Sequence, residues 1–131
     1  EKSTIMVGEC GLDKNISTPL DMQLEVFSKH ILFSERISKP LIIHCVKSYQ
    51  ELLASKNTYN PKQTWVIHGF NGSPQLAADL VGKGFSLSIG HSLLGNGEKA
   101  NDVLKKIPLS KLFLYTISPD NACGALFHST S

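Results

Sequence analysis

Trp65-Val66-Ile67-His68-Gly69-Phe70-Asn71-Gly72-Ser73-Pro74, then Gln75-Leu76-Ala77-Ala78-Asp79-Leu80-Val81-Gly82-Lys83-Gly84, then Phe85-Ser86-Leu87-Ser88-Ile89, reads as strand, helix and strand. The first three residues are a short apolar run of the kind a buried strand uses. Ser73-Pro74 is an N-cap followed by proline at the first helical position. Leu76, Ala77, Leu80 and Val81 make one apolar helical face, and Gly82 and Gly84 end it. Phe85 to Ile89 alternates apolar and polar, which predicts a strand with one polar-lined face.

The same grammar extends in both directions. Ile5-Met6-Val7, Leu41-Ile42-Ile43 and Leu112-Phe113-Leu114 read as further buried strands. Thr18-Pro19 is a second cap-plus-proline start, with Asp21 placed to support the helix N-terminus. Leu20, Leu24, Phe27 and Ile31 form its apolar stripe, and Ser38-Lys39-Pro40 stops it. A weaker helix spans Ser48 to Lys56, and another runs from Glu98 to Lys106, closed by Pro108. The order is β-α-β-α-β-α-β-α-β, an α/β pattern of parallel strands joined by right-handed crossovers. Two architectures fit: an open doubly wound sheet, or an arc of a TIM (β/α)8 barrel. A whole barrel needs about 250 residues, and this chain has 131. No linker or repeat divides it, so residues 1–131 are expected to form a single domain.

Composition narrows the function. The chain is 41% hydrophobic and 18% charged, enough to bury a core. A net charge of +2 is too small for bulk attraction to nucleic acid, so any such binding must come from a local site. Cys10, Cys45 and Cys123 are odd in number and never at CxxC spacing. That argues against a disulfide framework and a structural zinc site, and for a reducing compartment. No apolar run nears the roughly 20 residues that span a bilayer. With no secretory signal visible before the first strand, the expected location is the cytoplasm.

Three potential metal ligands share one address. Glu9 follows the strand ending at Val7-Gly8, His44 follows Leu41-Ile42-Ile43, and His68 follows Trp65-Val66-Ile67. In parallel α/β folds the carboxyl ends of the strands open on one face, where active sites form. A lone histidine after a strand is usually a hydrogen-bonded packing residue; the shared address sets these apart. Carboxylate and imidazole donors suit Mg, Mn or Zn. Gly8 and Gly11 flank Glu9-Cys10, and His68 leads through Gly69 to Gly72 into the helix start at Ser73, a seat for phosphate. Lys47 and Asn71 are candidate substrate contacts, weighed against the commoner reading as solvated surface. Cys10 and Cys45 read as small buried hydrophobes rather than nucleophiles. No GxGxxG and no P-loop is present, so nucleotide-cofactor readings lack support.

At these residues the sequence resembles a known family. Gly8-Glu9-Cys10-Gly11-Leu12-Asp13 resembles the GEIGLD signature of TatD-family deoxyribonucleases, members of the amidohydrolase superfamily. Gln23 and Phe27 match the helix that follows it there. Pro40-Leu41-Ile42-Ile43-His44-Cys45 resembles the PxxIHxR strand, Val66 to Ser73 the HCFSGS loop, and Gly84 to Gly90 the GxYxSxxG strand. The resemblance runs in order to about Leu114. It implies a partial (β/α)8 barrel and a divalent-metal phosphodiesterase that cleaves DNA with metal-activated water. By position, Glu9, His44 and His68 are the implied catalytic metal ligands, with Asp13 supporting from behind. Lys47, Asn71 and Ser73 are the expected substrate contacts, and DNA or another phosphodiester the expected partner, with no membrane.

Departures from the pattern define the alternative. The family's Asp-x-His-x-His strand has no counterpart, as if the N-terminal strands of the barrel were lacking. Ile117 of Tyr115-Thr116-Ile117-Ser118-Pro119 stands where the family's aspartate ligand falls, and Asp120 lies three residues beyond. Val46 replaces an arginine, with Lys47 next to it. Residues 122–131 do not read as the usual closing helix. Three ligands hold one ion, not two. The expectations are therefore an impaired enzyme or, alternatively, a catalytically inactive TatD-like scaffold. A third is a related metal-dependent barrel hydrolase acting on a lactone or amide. Sheet edges without partners would favour self-association.

Overall fold

A computed structural model describes residues 6–117 and 125–129, with side chains placed through residue 114. Ile5, Ser118, Pro119, Asp120 and Cys123 lie outside the described residues. The elements in chain order are β1 (Val7–Asp13), α1 (Leu20–Ile37), β2 (Leu41–Val46), α2 (Tyr49–Tyr59), β3 (Trp65–Ile67), α3 (Pro74–Gly82), β4 (Ser86–Ile89), α4 (His91–Leu94), α5 (Gly97–Leu104), a 3₁₀ turn (Leu109–Lys111), β5 (Leu112–Ile117) and β6 (Ala125–Ser129). They fall into two compact units, the first through Val66 and the second from Ile67.

In the first unit β1 runs parallel to β2, with Cys10 opposite Ile43, Gly11 opposite His44 and Asp13 opposite Val46. Of the expected first strand, Ile5 to Val7, Ile5 lies outside the described residues and Met6 precedes the strand, which among the described residues runs from Val7 on to Asp13. Glycines and a glutamate hide it from an apolar-run reading. The register slips by one residue between Val7 and Cys10, a bulge at Gly8-Glu9. Buried positions along β1 therefore step Val7, Cys10, Leu12. The bulge puts Glu9 in phase with Gly11 and Asp13, on the face that carries His44. Gly11 is required there. Its φ is 141°, and a Cβ would overlap the carbonyl oxygen of His44.

Helix α1 buries Gln23, Phe27, Ile31 and Ser34. The N-cap is Pro19, without a side-chain cap bond, so Thr18 is not the cap. The carbonyl of Thr18 instead accepts a hydrogen bond from Gln23 Nε2 at 2.8 Å. The helix ends as expected, with Ser38 left-handed at φ 57°. Phe27 meets Trp65 edge-on, ring centroids 5.5 Å apart. Glu35 accepts from the backbone N–H groups of Lys62 and Gln63 at 2.9–3.1 Å, fixing the approach to β3. The N–H of Leu41 donates to the carbonyl of Thr64 at 2.8 Å.

In the second unit Ser73 caps α3, its hydroxyl accepting from Leu76 N–H at 3.1 Å, with Pro74 at the first helical position. β4 is parallel to β5, with Ser88 opposite Phe113. The polar-lined face of β4 is closed: Ser86 and Ser88 are buried along with Phe85, Leu87 and Ile89. The short α4 and the strand β6, antiparallel to β5, were not legible in the sequence pattern. The expected Glu98–Lys106 helix runs from Gly97 to Leu104.

Two substitutions test this packing by urea unfolding followed through Trp65, the chain's sole tryptophan. Phe27→Ala should lower stability by about 3–5 kcal/mol. Gly11→Ala should cost about 1–3 kcal/mol from backbone strain alone, with further loss as β1 is pushed from β2.

Candidate functional site

Glu9, Asp13 and His44 line one pocket of about 570 Å³ in the first unit, with Gly11 and Cys10 between them and α1 forming the far wall. Glu9 and His44 sit inside β1 and β2 rather than beyond their ends, because both strands run further than their apolar runs. Asp13 Oδ2 accepts a hydrogen bond from His44 Nε2 at 3.0 Å. Asp13 Oδ1 accepts from the N–H of Asn15 at 2.8 Å. The hydrogen bond from His44, then that from Asn15, hold the Asp13 carboxyl below the usual carboxylate range.

Gln23 fixes the backbone of Asp13. Its Oε1 accepts from Asp13 N–H at 2.7 Å and its Nε2 donates to the Asp13 carbonyl at 3.0 Å. This positioning role is invisible in any local pattern; Gln23 stood out in the sequence only through its match to the helix of the resembled family.

Burial pushes the Cys10 thiol up to about 12, with the Glu9 charge adding to it. Burial likewise pushes Cys45 up to about 11. Both stay protonated at neutral pH, so neither is a ready nucleophile.

The other expected residues are described within their own units. Lys47 is exposed just after β2, at φ 56°. His68 belongs to the second unit, directly after β3, with its Nδ1 3.5 Å from Ser88 Oγ. That hydroxyl also accepts from Gly69 N–H at 3.1 Å. Asn71 is tied to Lys99 of α5, whose ammonium donates to its carbonyl at 2.8 Å and to its Oδ1 at 3.4 Å. Lys99 was missed, since nothing in a helix-face lysine marks it.

Carboxylate oxygens and imidazole nitrogens are the donors a divalent cation such as Mg, Mn or Zn takes. Glu9 and His44 bring one of each kind to a single pocket, with Asp13 engaged by His44, so the donor types suit such a cation. Among the described residues no three His, Cys, Asp or Glu side chains stand together at ligand spacing. No described helix is long and apolar enough to cross a membrane.

The crystal structure of YjjV, a TatD homologue from Escherichia coli K12, matches this chain with a TM-score of 0.75 at 30% identity, covering 89% of this chain and 46% of that one. The fold is α/β, part of a (β/α)8 barrel of parallel strands and alternating helices, to which β6 adds an antiparallel strand. The sequence model of the TatD related DNase family matches residues 1–124, and the chain belongs to that family. YjjV, described as an uncharacterized metal-dependent hydrolase, is 30% identical over 118 residues, 88% of this chain and 46% of its own length. The 3'-5' ssDNA/RNA exonuclease TatD of Cronobacter sakazakii is 28% identical over 124 residues, 91% of this chain and 47% of its own. The chain thus spans about half the length of the curated relatives it matches.

Two measurements check the site. A folded carboxyl held low stabilises the fold fully above the ordinary carboxylate range, and that contribution fades as pH falls through the lowered value. His44→Ala should therefore raise the Asp13 pKa in a carbon-detected NMR titration and move the onset of acid unfolding to higher pH. Mass-mapped alkylation at pH 8 should label Cys10 and Cys45 far more slowly in native than in urea-unfolded protein.

Proposed function

We propose that this chain carries part of the active site of a divalent-metal-dependent phosphodiesterase that hydrolyses nucleic-acid strands, DNA foremost. The observation that supports this most is the shared pocket of Glu9, Asp13 and His44 in a chain of the TatD related DNase family. Glu9, His44 and His68 are the proposed ligands. When bound, the cation would offset phosphate charge and lower the pKa of attacking water.

The remaining work falls to the chain's own groups. Asp13 takes His44 Nε2 and so sets the ring's angle, and Nδ1 would be the nitrogen left to hold a cation. Gln23 holds Asp13 in turn. In the second unit Ser88 orients His68. Lys47, Asn71 and the α3 start at Ser73 are the proposed substrate contacts, with Lys99 steadying Asn71. A second reading, a non-catalytic TatD-like scaffold, is favoured by Ile117 in place of an acidic ligand.

A 3′-labelled single-stranded oligonucleotide, incubated with Mg²⁺ or Mn²⁺, decides between them. The expected result is hydrolysis that a chelator abolishes, that Glu9→Ala, His44→Ala and His68→Ala each lower at least about 10²-fold, and that Asp13→Ala lowers about 10–100-fold. Turnover identical in wild type and all four variants, or none with any metal, refutes the enzymatic reading.

A further inference from the structure

We infer that Asn71-Gly72 is a self-modifying site: in the folded protein the Asn71 amide becomes a carboxylate by way of a cyclic imide closed with Gly72, and the Lys99 ammonium assists. The reaction needs only water, so it stands independently of the nuclease reading.

Two asparagines of the chain precede glycine, Asn71 and Asn96. A following glycine has no side chain to shield its nitrogen from the asparagine amide, and its backbone turns freely. Both pairs reach the surface, yet the fold treats them differently. Asn96 is the N-cap of α5, its Oδ1 accepting from the Lys99 N–H at 3.3 Å. Its carbonyl accepts from Ala100 N–H at 2.8 Å, and its own N–H donates to the Leu93 carbonyl at 2.9 Å. Turning that side chain onto Gly97 would forfeit the cap. Asn71 lies in the irregular stretch between β3 and α3. What holds it is the flexible end of the Lys99 side chain, which donates to its carbonyl at 2.8 Å and to Oδ1 at 3.4 Å. Among the described residues the Gly72 N–H makes no hydrogen bond. Packing dictates the glycine: a Cβ there would stand 2.8 Å from the Phe70 ring and 2.9 Å from the Leu76 side chain. The residue that the packing requires is thus the one that leaves Asn71 open to attack.

The Gly72 nitrogen loses its proton and bonds to Asn71 Cγ. The Cγ–Nδ2 bond breaks, and the amide nitrogen leaves as ammonia. As the tetrahedral centre forms, negative charge gathers on Oδ1, where the Lys99 ammonium can meet it. Water then opens the five-membered imide. Breaking its bond at Cγ gives aspartate; breaking its bond at the main-chain carbonyl gives isoaspartate, whose backbone runs through the former side chain. Either product sets a carboxylate against an ammonium that neutral oxygens held before, and lowers the net charge of +2 by one. Its yield grows with the age of the folded molecule.

The test follows the mass gain of amide-to-acid conversion during incubation at pH 8, in native and in guanidinium-unfolded protein. Trypsin separates the two sites, with Asn71 in peptide 63–83 and Asn96 in peptide 84–99. Unfolded, the two should convert at similar rates, since both are Asn-Gly. In native protein Asn71 should convert at least about fivefold faster than Asn96, which the cap protects. Lys99→Met, read by fragmentation of the mapped peptides, should slow Asn71 about threefold. It should leave Asn96 unchanged, because that cap uses the backbone N–H. The inference is overturned if Asn71 converts only when unfolded, or if Asn96 keeps pace with it in native protein. It is equally overturned if Lys99→Met converts Asn71 as fast as wild type.

Discussion

The site depends on how closely the backbone of β1 lies against that of β2. Gly11 faces His44 across the pair, and no side chain larger than hydrogen fits between them. That contact fixes the register, and register fixes which side chains share a face. One residue of slip would turn Asp13 from His44 and send Glu9 to the covered side. The bulge at Gly8-Glu9 is the complementary device, since it lets Val7 pack inward while Glu9 reaches the opposite face. The two glycines of the first motif thus act on different parts of one problem.

Much of the architecture was legible because burial writes itself into short apolar runs. Leu41-Ile42-Ile43 and Trp65-Val66-Ile67 have few residues to offer water, and both are strands. Ser73-Pro74 announced α3 because cap and proline act locally. What stayed hidden lies in partners far apart in sequence. Asp13 and His44 are thirty-one residues apart, and Asp13 and Gln23 ten; no local periodicity encodes either pairing. The extent of β1 to Asp13 was missed because its glycines interrupt the apolar signal. α4, four residues long, has too little pattern to register. Glu9 and His44 were singled out because strands in parallel folds open on one rim, and the two line one pocket; His68, expected on the same logic, follows β3 in the second unit beside Ser88.

Charge bears on the cation in the proposed function. Two carboxylates, Glu9 and Asp13, border it, and a phosphodiester alone would be repelled. The net charge of +2 does little to draw a polyanion to the molecule. Under the proposed function, neutralising a phosphate therefore falls to local chemistry. Burial keeps the neighbouring thiols protonated, which leaves the oxygen and nitrogen donors of Glu9, Asp13 and His44 as the reactive groups lining the pocket.

Gln23 has a consequence for the outer margin of β1. The side-chain amide takes both the N–H and the C=O of Asp13, the two groups that a neighbouring strand would otherwise engage, while Lys14 N–H already bonds back to Val46. A carboxamide rooted in a helix thus imitates one rung of a ladder and terminates it. Any polypeptide laid along that margin would find its hydrogen-bonding stopped at Asp13. Backbone pairing on that side of β1 therefore closes on a side chain at Asp13 instead of on another strand.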